Sequence, residues 1–136
     1  MKTVFVDTNI LLDVLLNRDE FNQHAVAVWK SCETKKINGV VSAVSMNNIY
    51  YVCAKHLGRQ KALEAIRLIL AVFKVVALDE KILRLAAASP GKNFEDAIQL
   101  YSALGAGAFC IVTRNARDFQ SGVIRLLSPS EFVALP

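Results

Sequence analysis

Three aspartates lie beside predicted strands, at positions where carboxylates can take part in chemistry. Asp7 directly follows the apolar run at 4–6, and Asp118 lies in the loop after a second apolar run at 110–112. Asp96 lies in the first turn of the predicted helix that precedes this second run. In open α/β sheets, sites form outside the carboxyl ends of the strands, where loops enter the following helices. We therefore expect the three side chains to converge at one edge of a sheet.

Carboxylates that converge repel one another unless a positive charge neutralises them. Mg²⁺ and Mn²⁺ favour such oxygen-rich sites, and a bound divalent ion activates water for attack on a phosphodiester. Each aspartate alone also has a structural explanation. Asp7 can cap the following helix, Asp96 can support a first turn capped by Asn93, and Asp118 can close a turn. Only the combination of the three predicts a metal site.

The elements that must position these residues alternate along the chain. Short β-branched runs predict strands at 3–6, 39–42, 74–78, 109–113 and 123–127. Longer periodic stretches predict helices at 9–17, 20–36, 44–56, 59–73, 79–89, 93–107 and 128–135, with a turn at 89–91. The last helix begins with a capping box of Ser128 and Glu131. The strands are too apolar for burial on one face only, which favours an α/β fold with a mostly parallel central sheet and helices on both faces. We expect a single domain over 1–136.

Composition restricts the class of protein further. The formal net charge of +4, from 16 basic and 12 acidic residues, is compatible with a polyanionic partner without requiring one. Three widely spaced cysteines in apolar stretches, Cys32, Cys53 and Cys110, indicate buried free thiols in a reducing compartment. Asp7 interrupts the region where a secretory signal would be apolar, and we find no apolar stretch of about 20 residues. We therefore expect a cytoplasmic protein with no membrane contact.

Four segments occur in an order that makes a resemblance specific. They are VFVDTNILLD, VSAVSMNNIYYV, NFEDAIQ and IVTRNARDF. With them, the chain resembles PIN-domain proteins of the VapC-like type over essentially its whole length. The resemblance implies a Rossmann-like α/β/α fold and an Mg²⁺- or Mn²⁺-dependent endoribonuclease that cleaves single-stranded RNA. Many such proteins are toxins of type II toxin–antitoxin modules, form homodimers and are silenced by a small antitoxin.

The resemblance also implies roles for individual residues. Asp7, Asp96 and Asp118 match the metal-binding acids of the family. Three polar positions of the family motifs are matched by Asn9, Thr113 and Asn115. The last two of these would orient a water or a phosphate beside the final acid. Arg114 and Arg117 flank Asn115, and they either hold an RNA phosphate or serve as loop charges that pair with the acids.

One position departs from the family pattern. A further glutamate is common on the helix after the second strand, and the matching residue here is Asn48, which supplies no charge and cannot act as a base. Glu95, next to Asp96, can compensate in part, although helical neighbours point about 100° apart. Alternatively, Asn48 is a tolerated variant that lowers the occupancy of a second metal, or the nuclease is weak or dead. We favour the tolerated variant, because the three aspartates are intact.

Two rival functions remain open at this stage. One is a catalytically weak or inactive PIN domain that acts as an RNA-binding or regulatory module on the same fold. The other is phosphotransfer, since phosphatases and receiver domains also carry an aspartate after the first strand. The phosphatase pattern requires a second acid two residues after the first, where this chain has Asn9. We give phosphotransfer little weight for that reason.

Overall fold

The computed structural model describes residues 1–89, 93–120 and 122–136. The strands in this part of the chain are β1 (Thr3–Val6), β2 (Asn38–Ser42), β3 (Lys74–Val76), β4 (Cys110–Val112) and β5 (Arg125–Leu127). The helices are α1 (Thr8–Leu15), α2 (Asn22–Glu33), α3 (Ala43–Leu57), α4 (Arg59–Val72), α5 (Glu80–Ala87), α6 (Phe94–Gly105) and α7 (Pro129–Val133). A short 3₁₀ helix spans Ala116–Asp118. The turn predicted at 89–91 lies largely outside the described residues.

The five strands form one parallel sheet in the order β3-β2-β1-β4-β5. The chain builds outward from β1 through β2 to β3, and then returns to the other side of β1 for β4 and β5. The strand order therefore reverses between β1 and β4, which is the point where open α/β sheets bind ligands. Val6 pairs with Val112 at this point, and the Asp7 N–H donates to the Val112 carbonyl at 3.0 Å.

Alternate residues of β1 face two layers of helices. Val4 and Val6 are fully buried in a cluster that includes residues of α1, α2, α3 and α4. Phe5 points to the opposite face and packs in a second cluster with Leu100 of α6 and Ile111 of β4. The sheet is thus covered on both faces, as a buried parallel sheet requires. The α/β/α prediction is confirmed.

The predicted elements are all present, and their ends differ by a few residues. The helix predicted at 20–36 ends at Glu33, because Lys35 adopts a left-handed backbone conformation with φ of 64° that a helix cannot continue through. The predicted capping box is present, with Ser128 Oγ accepting from the Glu131 N–H at 3.1 Å. All three cysteines are buried free thiols, as predicted. Within the described residues, no helix is long and apolar enough to cross a membrane.

Gly39 allows a close approach between the sheet and the helices above it. A Cβ at this position would lie 2.5 Å from Cys32 Sγ and 2.7 Å from Cδ1 of the Phe73 ring. Neither atom has room to retreat, because both side chains are buried in the larger cluster. Glycine is therefore required here by space.

Candidate active site

Asp7 lies at the carboxyl end of β1, directly beside the end of β4. It is the N-cap residue of α1 by backbone position, while its side chain accepts a hydrogen bond from Thr113 Oγ1 at 2.7 Å. Thr113 is 1% exposed, and its hydroxyl oxygen also accepts from the Asn115 N–H at 3.0 Å. One buried hydroxyl thus joins the first acid to the loop that carries the last.

Burial controls the electrostatics of Asp7. The residue is 4% exposed, and this desolvation raises the pKa of its carboxyl. Hydrogen bonds from the Thr113 and Gln99 side chains, and then from the Thr8 and Asn9 backbone, partly oppose the rise in pKa by favouring the charged form. A buried carboxylate held in this way is costly to ionise unless a cation neutralises it. The charge of Asp7 is therefore stabilised in this structure by hydrogen bonds alone.

Asp96 lies in the first turn of α6 and faces the other acids. Its N–H donates to Asn93 Oδ1 at 3.2 Å, so Asn93 caps the helix as predicted. Burial and then the negative charges of Asp7, Asp118 and Glu95 raise the pKa of Asp96 to about 6. Because Coulomb repulsion weakens with distance, these causes indicate that Asp96 lies within electrostatic range of the other three carboxylates.

The acidic side chains of this cluster are spaced apart. Among the described residues, no three Asp, Glu, His or Cys side chains lie close enough together to hold one metal ion. Asp7 is buried and Asp96 half-buried, whereas Asp118 is exposed on the 3₁₀ helix. The donors are hard oxygens, which fit Mg²⁺ or Mn²⁺ in chemical character.

Gln99 is a site residue that the sequence analysis missed. It lies three residues after Asp96 on α6, is 1% exposed, and hydrogen-bonds the Asp7 carboxylate. Its Oε1 is buried without a partner among the described residues, so an acceptor oxygen remains unused beside Asp7. The signal that would have identified it is a row of polar residues at spacings of three on α6, Asp96, Gln99 and Ser102, beside apolar neighbours.

Asn48 and Glu95 contact each other across two helices. Asn48 Nδ2 of α3 donates a hydrogen bond to Glu95 Oε2 of α6. One turn earlier on α3, Ser45 Oγ accepts from Thr8 Oγ1 at 2.7 Å in a buried contact. This contact fixes the start of α3 against the residue that follows Asp7. Asn48, where the resemblance predicts a glutamate, therefore contacts Glu95, the residue before Asp96.

Arg114 lies in a different cluster. Its guanidinium forms two hydrogen bonds to Asp13, with Nε at 2.7 Å from Oδ2 and Nη2 at 3.2 Å from Oδ1, and stacks over Phe21 at 3.9 Å. Asp13 is 0% exposed and also pairs with Arg18 at 3.3 Å. Arg117, by contrast, is exposed on the 3₁₀ helix. The two arginines thus have different surroundings, and an RNA contact by either stays a prediction.

A family model described as "PIN domain" matches residues 3–117. Ribonuclease VapC1 of Aquifex aeolicus (strain VF5) is 26% identical over 134 residues, covering 95% of this chain and 92% of the relative.

Solved structures share the fold. A toxin–antitoxin complex from Klebsiella pneumoniae contains a chain that superposes with a TM-score of 0.70 at 22% identity, covering 93% of this chain and 97% of that one. Mycobacterium tuberculosis VapC20, described as a sarcin–ricin loop cleaving toxin, superposes with a TM-score of 0.65 at 16% identity, covering 88% and 92%. At these identities, the likeness is one of fold.

Proposed function

The chain belongs to the PIN-domain family, and from this premise we propose that it is an Mg²⁺- or Mn²⁺-dependent endoribonuclease that cleaves single-stranded RNA. The observation that carries the proposal is the electrostatic cluster formed by Asp7, Asp96 and Asp118 at the reversal of strand order. Carboxylates that repel one another at this point, the first of them buried, are suited to serve as ligands of a divalent ion. The name of the Aquifex relative supports RNA as the substrate.

In this proposal, the residues of the chain bind the metal ion and orient its ligands. Asp7, Asp96 and Asp118 would hold the ion, which would supply an activated water and neutralise the charge that develops on the phosphate. Thr113 fixes one carboxylate oxygen of Asp7 by its 2.7 Å hydrogen bond. Asn9, two residues after Asp7, and Asn115, three residues before Asp118, are polar accessory residues of the site.

We assign the RNA phosphate contact to Arg117 in preference to Arg114. The guanidinium of Arg114 is already used by Asp13 and Phe21, whereas Arg117 is exposed one residue before Asp118. A cation beside the metal-binding acids is well placed to hold the phosphodiester backbone, which is the part of RNA common to all sequences.

We also propose that the protein is the toxin of a two-gene module, paired with a small antitoxin and assembled as a homodimer. The Klebsiella neighbour is part of a toxin–antitoxin complex, which supports this assignment. Leu63, Leu68 and Leu70 of α4 are exposed and offer apolar surface to a partner. A short open reading frame next to the gene should encode a protein that copurifies with this chain and relieves its growth inhibition. A chain that expresses alone without inhibiting growth would contradict the toxin assignment.

The direct test of the enzyme is cleavage of a fluorescent single-stranded RNA by the purified chain. We expect cleavage with Mg²⁺ or Mn²⁺, none in a chelator, and recovery when the ion is restored. A duplex RNA and a single-stranded DNA of the same sequence serve as controls and should stay intact. Equal cleavage in the chelator would contradict metal dependence.

The alternative function is a catalytically inactive module that binds RNA without cutting it. It is favoured by Asn48, which stands where the family commonly has a glutamate. This alternative predicts RNA binding by the wild-type chain with no cleavage under any metal. Cleavage by the wild-type protein that is lost in Asp7→Asn rules it out.

A further inference from the structure

We propose that Asp13 is a positioning residue of the active site, and that it orients the segment 113–118 through Arg114. Asp13 lies six residues after Asp7, on the helix α1 that begins at this first acid. The inference rests on the proposed function, because the segment that Asp13 orients carries one of the acids to which we assign the metal ion. It gives Asp13 no contact of its own with the metal or the RNA.

The first argument is the way in which the buried Asp13 carboxylate is paired. Its Oδ2 accepts from Arg114 Nε at 2.7 Å and its Oδ1 from Arg114 Nη2 at 3.2 Å. Oδ1 also accepts from Arg18 Nη1 at 3.3 Å. An arginine that binds both oxygens of a carboxylate fixes the relative orientation of the two groups as well as neutralising the charge. Because Arg18 already offers Asp13 a cation, the contribution specific to Arg114 is this fixed orientation.

The second argument is the enclosure of the Arg114 side chain. Its guanidinium lies over the Phe21 ring, 3.9 Å from the ring centroid. The Arg18 N–H donates to the Asp13 carbonyl at 3.0 Å, and the Phe21 N–H donates to the Arg18 carbonyl at 3.0 Å. The turn after α1 therefore wraps around Asp13 and brings Phe21 to the guanidinium. Arg114 is thus held along one edge by Asp13 and on one face by Phe21.

The third argument is the place of Arg114 in the chain. The residue before it, Thr113, donates to Asp7 Oδ2 at 2.7 Å, and the residue after it, Asn115, donates its N–H to Thr113 Oγ1 at 3.0 Å. The Asn115 carbonyl accepts from the Asp118 N–H at 2.9 Å, within the turn that forms the 3₁₀ helix. Fixing Arg114 therefore fixes the backbone from which the side chains of Thr113 and Asp118 project.

A purely structural explanation makes a different prediction. Replacing both members of a buried ion pair by apolar side chains of similar size is often neutral or stabilising. The double variant Asp13→Leu with Arg114→Met makes this replacement, and Arg18, which is 35% exposed, stays accessible to water. If the ion pair served stability alone, this variant would match the wild type at the active site. If the pair positions the segment 113–118, the variant folds but its segment opens more often.

The experiment combines amide hydrogen exchange, followed by NMR in chelator, with a calorimetric Mn²⁺ titration of the full chain. In the double variant we expect a Tm close to that of the wild type, and exchange of the Asn115 N–H that is faster by about 10-fold or more. The affinity for Mn²⁺ should fall by about 10-fold. Arg114→Lys keeps a cation for Asp13 without the planar fork, and should shift both quantities in the same direction. The control variant, Glu80→Gln with Arg84→Gln, removes an exposed ion pair on α5 and should change neither quantity.

The outcomes distinguish this inference from the function on which it rests. A folded double variant with wild-type Mn²⁺ affinity, whether or not its Asn115 exchange is faster, overturns the positioning role of Asp13. If Asp7→Asn loses Mn²⁺ binding in the same experiment, the proposed function stays in place. Should the double variant fail to fold, wild-type exchange and affinity in Arg114→Lys overturn the positioning role instead. Absence of Mn²⁺ binding in the wild-type chain overturns both the inference and the proposed function.

Discussion

Thr113 Oγ1 donates a hydrogen bond to Asp7 Oδ2 at 2.7 Å, joining residues that are 106 positions apart in the chain. Both side chains are buried, at 1% and 4% exposure. The contact exists because β1 and β4 are parallel neighbours whose carboxyl ends coincide. It means that the first acid is positioned by the fold, before any ion or substrate arrives.

Replacing Thr113 by valine should remove the group that orients the Asp7 carboxylate while leaving the charge of Asp7 in place. The change keeps the shape but removes the donor, which leaves a buried carboxylate oxygen without its partner and costs about 1–3 kcal/mol in unfolding free energy. Metal affinity should fall by about 10-fold or more, because the ligand loses its orientation. Thr113→Ser retains the hydroxyl and is the control. Equal Mn²⁺ affinity in both variants would show that the hydroxyl does not position Asp7.

The raised pKa of Asp96 predicts a pH-dependent stability of the metal-free protein. Its folded pKa of about 6 lies above the unperturbed value of 3.8, so the folded state binds the proton more tightly than the unfolded state between these values. Ionisation therefore destabilises the fold as pH rises through this window, and the full cost is present above about pH 6.

Asp96→Asn removes that cost by imitating the neutral form. In chelator, the Tm of the variant relative to wild type should increase from pH 4 to pH 6 and then stay level. Thermal denaturation followed by circular dichroism measures this difference. A Tm difference that is constant across this range would contradict the raised pKa.

Arg114 and Arg117 should differ in their contribution to stability. Arg114→Ala removes the bidentate partner of the fully buried Asp13, leaving it with Arg18 alone, and should cost about 3 kcal/mol. Arg117→Ala removes an exposed side chain and should change stability by no more than about 0.5 kcal/mol. Urea denaturation at neutral pH measures the change in unfolding free energy of each variant. Equal changes in the two variants would contradict the structural role of Arg114.

Gly39 should tolerate no larger side chain. Gly39→Ala places a methyl group against Cys32 and Phe73, and overpacking of this kind costs about 1–3 kcal/mol. Gly105→Ala is the matched control, because a Cβ there meets nothing within 4 Å and alanine favours the helix by up to about 1 kcal/mol. Chemical denaturation measures the unfolding free energy of the two variants. If Gly105→Ala were destabilised as much as Gly39→Ala, steric crowding at Gly39 would not explain the loss.

Much of the fold could be predicted from local pattern, because strands buried on both faces and periodic helices leave clear signals. Asp7 and Thr113 could be placed at one sheet edge because both follow apolar strands. The partner of Arg114 could not be predicted, since pattern does not distinguish Asp13, 101 positions away along the chain, from the other acids. The bond between Asn48 and Glu95 depends on the relative rotation of two helices, which the sequence of either helix alone does not determine.

Asp7→Asn is the most direct test of the central claim. The neutral amide removes the cost of a buried charge, so the variant should fold with a Tm in chelator equal to or above that of the wild type. Its rate of single-stranded RNA cleavage at saturating Mn²⁺ should fall by roughly 100-fold or more. A folded Asp7→Asn protein that cleaves RNA at the wild-type rate would contradict the assignment of the active site.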